Sequence, residues 1–553
     1  MTEVASRKER LPRVRVVAAA LLLLAATPPA WFPGAEFLVV LGLAAWFSVC
    51  VGNARPVLAS YWIGALHVGA FSWSLRHVAW FGWFAVAVLG GLYYAAVALA
   101  TQRAARAARP MFAVLAFAFA VAGSCWLRAE MPGIAYPHGQ FAHALWEWPA
   151  LLGAVRLGGE PLQNVMLAAM GAVLAQWWSS WRTATTPIGS AWRRVLVVWL
   201  VAMGVRVAFG PVPRSEQGPT VSVAAIETGL HPFDAFADVA DASEYRTRWQ
   251  QILEERLLAP TQRIAGRDVQ NAPDLVLWPE SSVPFSARQY AGRLDFAELR
   301  GSVSLAPKTR LLLGADVERD SKKHTPAAVM LDADGRFVGH HEKQRLVPAG
   351  ETLPIGWLPQ SWADAIREFA QTNVGIPDLE PGRSLPPLRL APTAVEPEGW
   401  PVAGLICYDN AFHQPVADAV ANGARILCIL SNEAWYRGGG ELEQLAAITV
   451  LRAVACDTPI VRCTTDGMTM AVSRDGSVLA SLPDAHAPQP ASRVLDVAVP
   501  VGPGLLPAAA AWHPRAGWAC SAWLAIAAAF ACFGSRFRRE GSQTSLDDGG
   551  SGS

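Results

Sequence analysis

Charge is what this chain has least of. Only 16% of its 553 residues are Asp, Glu, Lys or Arg, against roughly 25% in ordinary soluble proteins, which excludes a disordered chain. Neither sign prevails: 46 basic and 45 acidic residues leave a formal charge of +1, without the basic footprint of a polyanion-binding protein. The eight Cys show no CxxC pair and no regular spacing, so neither a disulfide framework nor a zinc site is indicated. Apolar residues are abundant: 52% of the chain, including 23 Trp, with a mean hydropathy of +0.25. The excess sits at the two ends, and the middle reads as an ordinary globular domain.

A bilayer core of about 30 Å is crossed by about 20 mostly apolar helical residues. Seven stretches before residue 211 answer to this, at 14–31, 35–51, 57–73, 78–100, 111–127, 162–181 and 195–209, and an eighth lies at 516–533. Basic residues orient the set. Arg7, Lys8, Arg10, Arg13 and Arg15 precede the first span, and Arg536, Arg538 and Arg539 follow the last. Arg55, then Arg103, Arg106 and Arg109, then Arg182, Arg193 and Arg194 occupy alternate loops. All fall on one side if both termini are cytoplasmic, with Arg76, Arg128 and Arg156 as the exceptions. Seven spans then deliver the middle of the chain to the outer side of the membrane. A signal peptide is the competing reading of the first stretch, but Pro28-Pro29 and the spans that follow favour an uncleaved anchor. The loop at 128–161 carries Tyr136, Trp146 and Trp148, which suit an interfacial aromatic belt or a substrate-facing loop. Residues 541–553 read as a polar tail.

From about 213 to 504 short β-branched runs alternate with amphipathic segments. Strands are expected at 220–226, 275–278, 310–315, 327–331, 402–406 and 426–430, and helices at 243–258, 413–422 and 444–455. Asp332 to Gly335 is a turn between two strands. This alternation implies layered α/β packing, over enough chain to bury a large core.

Three strand ends present reactive groups. Leu277-Trp278-Pro279-Glu280 halts an apolar strand at a proline and offers a carboxylate. His340-His341-Glu342-Lys343 leads into Leu346-Val347-Pro348 and then Gly350-Glu351. The histidine pair has no carboxylate or Cys partner at ligand spacing, so no metal is expected. Val402 to Ile406 runs into Cys407-Tyr408-Asp409, with a helix beginning near His413. A thiol at such a turn is suited to nucleophilic attack. Together these residues supply acyl transfer: Cys407 attacks, Glu280 moves protons, and Lys343 holds developing negative charge and keeps the thiolate ionised. A Cys407–His413 pair would leave the Glu and Lys segments unexplained.

These motifs, in this order, resemble the Glu-Lys-Cys signature of the nitrilase superfamily, and more narrowly its membrane-embedded branch, the apolipoprotein N-acyltransferases. Ser431-Asn432-Glu433-Ala434-Trp435-Tyr436 is similar to that branch's S/T-N-D-x-W-F segment, and Arg462 to Gly467 to its R-A-T-N-T-G stretch. The resemblance implies a nitrilase-like α-β-β-α sandwich inserted between seven N-terminal and one C-terminal transmembrane helices. The bounds are a bundle at 1–212, an extracytoplasmic catalytic domain at 213–504, a last span with a basic cytoplasmic end at 505–539, and a disordered tail at 540–553. It implies Glu280 as base, Lys343 as charge stabiliser, Cys407 as nucleophile, Glu351 and Asp409 in support, and Tyr408 and Trp435 lining the substrate pocket. It further implies a phospholipid acyl donor, a diacylglyceryl lipoprotein acceptor, no metal or other cofactor, no nucleic acid, and a monomer in the bacterial inner membrane. A membrane-anchored amidase using the same triad is the alternative. Departures from the family pattern are Asp409 where Glu is usual, Leu445 where His follows Gln, and Glu227-Thr228 in place of a Q-G-N.

Overall fold

Along Thr220–Glu227 (β1), Val221, Val223 and Ala225 enter one core while Ala224 and Ile226 enter another. A strand apolar on both faces has to lie inside a sheet covered on both sides, and that is the architecture of the middle domain. The computed structural model describes residues 2–543 apart from 107–109, 184–217, 291–292, 296–298, 300, 319–323, 349, 354, 357, 374–378, 438 and 484–490.

One sheet runs in the order β14-β1-β2-β5-β3-β4, with β6 and β7 folded back beside β5. Its strands are β1, Leu275–Leu277 (β2), Ser286–Tyr290 (β3), Arg293–Asp295 (β4), Arg310–Glu318 (β5), His324–Leu331 (β6), Phe337–Glu342 (β7) and Arg493–Pro500 (β14). The second sheet has the order β13-β12-β11-β10-β9-β8. It is built from Leu388–Arg389 (β8), Pro401–Ile406 (β9), Ile426–Ser431 (β10), Ile460–Thr464 (β11), Met470–Val472 (β12) and Val478–Ser481 (β13). In each sheet the central strands are parallel (β1, β2 and β5; β9, β10 and β11); β14 and β6 in the first sheet and β8 and β12 in the second flank them antiparallel, while the short β3 joins β5 in parallel.

Leu275, Leu277, Leu312 and Met330 of the first sheet meet Val402, Ile426, Leu430 and Val461 of the second. Each such fully buried aliphatic side chain contributes about 1.5–3 kcal/mol. The first sheet's outer face is closed by Ala242–Ile252, which continues through a π turn into Ala259–Ala265, placing Leu257 and Ile264 against Val276 and Leu311. The second sheet's outer face is closed by His413–Ala421 and Glu441–Cys456, whose apolar residues merge with the core of the N-terminal helices. The layers are therefore helix, sheet, sheet, helix, and then the apolar bundle. The expected strands and helices form within a few residues of their limits. The short β3, β4, β8, β12 and β13, the longer β11 and β14, and the helix Gln360–Asn373 were not foreseen.

The first six apolar stretches are helical: Thr2–Ala26 (α1), Leu38–Gly52 (α2), Pro56–Phe71 (α3), Leu75–Ala105 (α4), Pro110–Glu130 (α5) and Gly153–Thr183 (α6). The seventh, 195–209, lies outside the described residues, as does the tail beyond 543, whereas the eighth falls in the helix His513–Gln543. Three described segments, Ala35–Gly52, Leu75–Ala105 and Met111–Glu130, are long and apolar enough to cross a membrane by themselves. The α5–α6 connection is shorter than the expected 128–161, because a helical turn precedes a break at Gly158 and Gly159 in α6. Gly159 sits at φ 68°, a backbone state that favours glycine, and the break turns Glu160 inward. The three basic exceptions to the charge pattern are all engaged. Arg128 caps the carbonyls of Tyr136, His138 and Gly139, Arg156 pairs with Asp457, and Arg76 stacks on Trp73.

Candidate active site

Three strand ends converge where the sequence puts its reactive groups. β2 stops at Leu277, and Trp278 is anchored by its indole N–H to Thr261 Oγ1 at 3.0 Å. The chain then turns at Pro279 and presents Glu280. β5 passes so close beneath this turn that a methyl group on Gly314 would collide with Glu280 Cα and the Pro279 carbonyl. Gly314→Ala is therefore expected to displace the carboxylate and lower the activity of the site by about 100-fold, the scale of a ~1 Å misplacement, with the circular dichroism spectrum unchanged. Activity near wild type would show that the close approach does not position Glu280.

Lys343 follows β7 directly and is buried, with its Nζ 3.0 Å from Glu280 Oε1 and 2.7 Å from Glu351 Oε1. Glu280 Oε2 accepts the Asn432 N–H at 2.9 Å, and Glu351 Oε2 accepts the Val347 N–H at 2.8 Å. Burial works against the ammonium, but the two carboxylates outweigh it and hold Lys343 well above its ordinary range. Burial pushes Glu280 up, against the pull of Lys343, which suits a group that must accept a proton.

Cys407 opens the 3-10 turn Cys407–Ala411 at φ 45°. A left-handed conformation in a non-glycine residue is strained, and here it marks the sharp bend after β9. Among the described cysteines, Cys407 alone is not fully buried. Protein still surrounds it closely enough that burial, with Glu280 adding to it, pushes the thiol up to about 12 against the opposing pull of Lys343. This corrects the expectation that Lys343 keeps the thiolate ionised. The resting group is a thiol, because burial removes the water a thiolate needs and the carboxylates beside Lys343 offset its pull.

Asp409 lies wholly inside. Its Oδ1 accepts the N–H groups of Gln344 and Arg345 at 2.9 and 2.7 Å, and its Oδ2 accepts that of Ile406 at 3.3 Å. The shorter carboxylate thus staples the segment after Lys343 to the turn bearing Cys407, and burial raises it to about 7. Tyr408 donates its hydroxyl to the Ala135 carbonyl at 2.8 Å, tying the turn to the α5–α6 connection. Leu445, where His was usual, packs beside Tyr408 and Phe412. Trp435 is 40% exposed, and its neighbour Tyr436 lines the adjoining cavity. Glu227 points away from the triad and pairs with Arg493. His341 is bonded to Pro386 O and the Gly404 N–H, and His413 to Ala510 O, so neither reaches the sulfur.

Two contributors escaped sequence reasoning. The Asn432 backbone that holds Glu280 belongs to a motif recognisable only as a resemblance. Arg452 donates to the Ala411 carbonyl at 2.8 Å and pairs with Glu160 of α6 at 3.3 Å, linking the Cys407 turn to the bundle. Arg452 is the single charge in the run 445–456, and that isolated buried cation was the available signal.

Residues 223–489 match the carbon-nitrogen hydrolase family. A protein of Sinorhizobium medicae named apolipoprotein N-acyltransferase is 25% identical over 87% of this chain and 84% of its own length. One so named from Bordetella bronchiseptica is 26% identical over 90% and 93%. A third, from Geobacter metallireducens, is 26% identical over 62% of this chain, and the match spans only 60% of that protein. The central domain is thus similar to the carbon-nitrogen hydrolases, and the chain as a whole to the apolipoprotein N-acyltransferases.

Proposed function

We propose that this protein is an apolipoprotein N-acyltransferase that moves an acyl chain from a phospholipid, through a Cys407 thioester, to the α-amino group of a diacylglyceryl-cysteine. The observation that supports it best is the buried Glu280–Lys343–Glu351 cluster beside Cys407, on a turn bonded to the membrane-side connection through Tyr408. In the first step the Cys407 proton passes to Glu280 as the sulfur attacks the ester carbonyl. Lys343 holds the resulting oxyanion. The carbon–oxygen bond breaks, and Glu280 returns the proton to the departing glycerol oxygen, leaving a lysophospholipid. In the second step the lipoprotein amine attacks the thioester carbonyl and yields its proton to Glu280. The carbon–sulfur bond breaks, an amide forms, and the sulfur regains a proton. Glu351 shares the charge of Lys343, Asp409 fixes the spacing of the two catalytic segments, and Tyr408 and Trp435 contact substrate.

Both substrates are lipid-anchored, which accounts for the large apolar bundle. In this reading seven N-terminal spans (1–212) and one C-terminal span (505–539) hold the domain 213–504 on the outer face of the inner membrane as a monomer, with both termini cytoplasmic. A dry site protects the thioester from hydrolysis. Purified protein in detergent with phosphatidylethanolamine is expected to gain one acyl mass on Cys407. Adding a diacylated lipopeptide should transfer that mass to the peptide amine. Release of free fatty acid alone would replace this reading with a hydrolase.

A further inference from the structure

The triad accounts for chemistry at the ester carbonyl and leaves the rest of the donor lipid without a partner. A cavity of about 420 Å³ opens beside Tyr436, between the α1–α2 connection, the α3–α4 junction and the segment after Tyr436. Its apolar wall includes Leu24, Phe71 and Trp73, and its charged groups are Arg76 and Arg437. Arg76 is one of few basic residues on its side of the bundle, and its guanidinium lies 4.0 Å over the Trp73 ring, which fixes its direction. Arg437 follows the turn Ala434–Tyr436 at φ 49° and also reaches Asp234 at 3.7 Å. Behind the wall, Glu441 accepts a hydrogen bond from Ser74 and is raised by burial to about 8. At neutral pH it is mostly uncharged, which leaves the half-exposed Asp234 as the carboxylate that faces Arg437.

We infer that this cavity is an anion subsite in which Arg76 and Arg437 grip the phosphodiester of the acyl donor. Guanidinium forks match phosphate oxygens, and the aromatic wall suits the glycerol and the first methylenes. The subsite also separates the two substrates, because a diacylglyceryl peptide carries no phosphate and gains nothing from it. The inference rests on the acyl-transfer reading above and adds to it the determinant of donor choice.

The test follows Cys407 acylation by intact mass in full-length wild type, Arg76→Gln, Arg437→Gln, the double variant and Arg76→Lys, without acceptor. Dioleoyl phosphatidylethanolamine serves as the phosphate-bearing donor and 4-nitrophenyl octanoate as the phosphate-free one. At subsaturating phospholipid the double variant is expected to acylate at least about 10-fold more slowly, the scale of one charge-assisted contact. Arg76→Lys should recover part of the loss, and the phospholipid-to-nitrophenyl rate ratio should fall with it. An unchanged ratio overturns the inference, whether both rates persist or both collapse. Wild type that is acylated by neither donor instead refutes the acyl-transfer reading.

Discussion

Cys407→Ala is expected to gain no acyl mass from phospholipid and to lose lipopeptide N-acylation by at least ~10⁴-fold, since the acyl group passes through this thiol and the neighbouring Ser431 hydroxyl is a far weaker nucleophile. The remaining described cysteines are buried elsewhere in the two cores and the bundle. The protein should still fold, because the change removes one partly exposed sulfur. Wild type carries a second signature of the same site. With its thiol near 12, the thiolate fraction at pH 7 is vanishingly small. Alkylation of Cys407 by iodoacetamide in the absence of lipid should therefore keep rising beyond pH 9, where an ordinary cysteine levels off. Full activity in Cys407→Ala would discard the mechanism. A plateau near pH 7 would restore the resting thiolate and relieve Glu280 of its first proton transfer.

Lys343→Met has the second large effect, and it strikes stability as well as rate. The ammonium sits between two carboxylates in a buried setting. Removing it leaves Glu280 and Glu351 facing one another without a cation, and breaking a buried pair in this way costs about 3–5 kcal/mol. The lost oxyanion contact lowers the rate by at least ~100–1000-fold. The pH dependence has a definite sign. Burial already raises Glu280 in the folded protein, and loss of Lys343 raises it further. A carboxyl group raised on folding favours the folded state at low pH, and that contribution is lost as pH climbs from the unfolded value through the folded one. The stability gap between wild type and variant should therefore be wider at pH 8 than at pH 5, read from paired thermal melts. Equal gaps would mean that the carboxylates find another cation once Lys343 is gone.

The amino-acid order alone pointed to the class of the molecule and to three candidate reactive groups. Apolar runs long enough for a bilayer, short β-branched segments and strand ends carrying Glu280, Lys343 and Cys407 are local patterns. Local patterns survive in sequence because each depends on side-chain periodicity within a few residues. The short edge strands were illegible for the converse reason: β8 and β12 owe their conformation to the neighbours they pair with, as propensity in sheets mostly does. Glu227 and Trp435 sit in recognisable segments, yet only packing turned the first toward Arg493 and left the second at the surface.

Tertiary structure alone decided how the charges balance. Glu351 lies eight positions from Lys343 but Glu280 lies 63 away, and no spacing rule foretells that one ammonium serves both. The same holds for the thiol, whose ionisation depends on how much water the fold removes from around it, and for Arg76 and Arg437, which meet across a cavity although 361 positions separate them. Desolvation and convergence are properties of a packed interior, and a linear chain carries neither until its layers close.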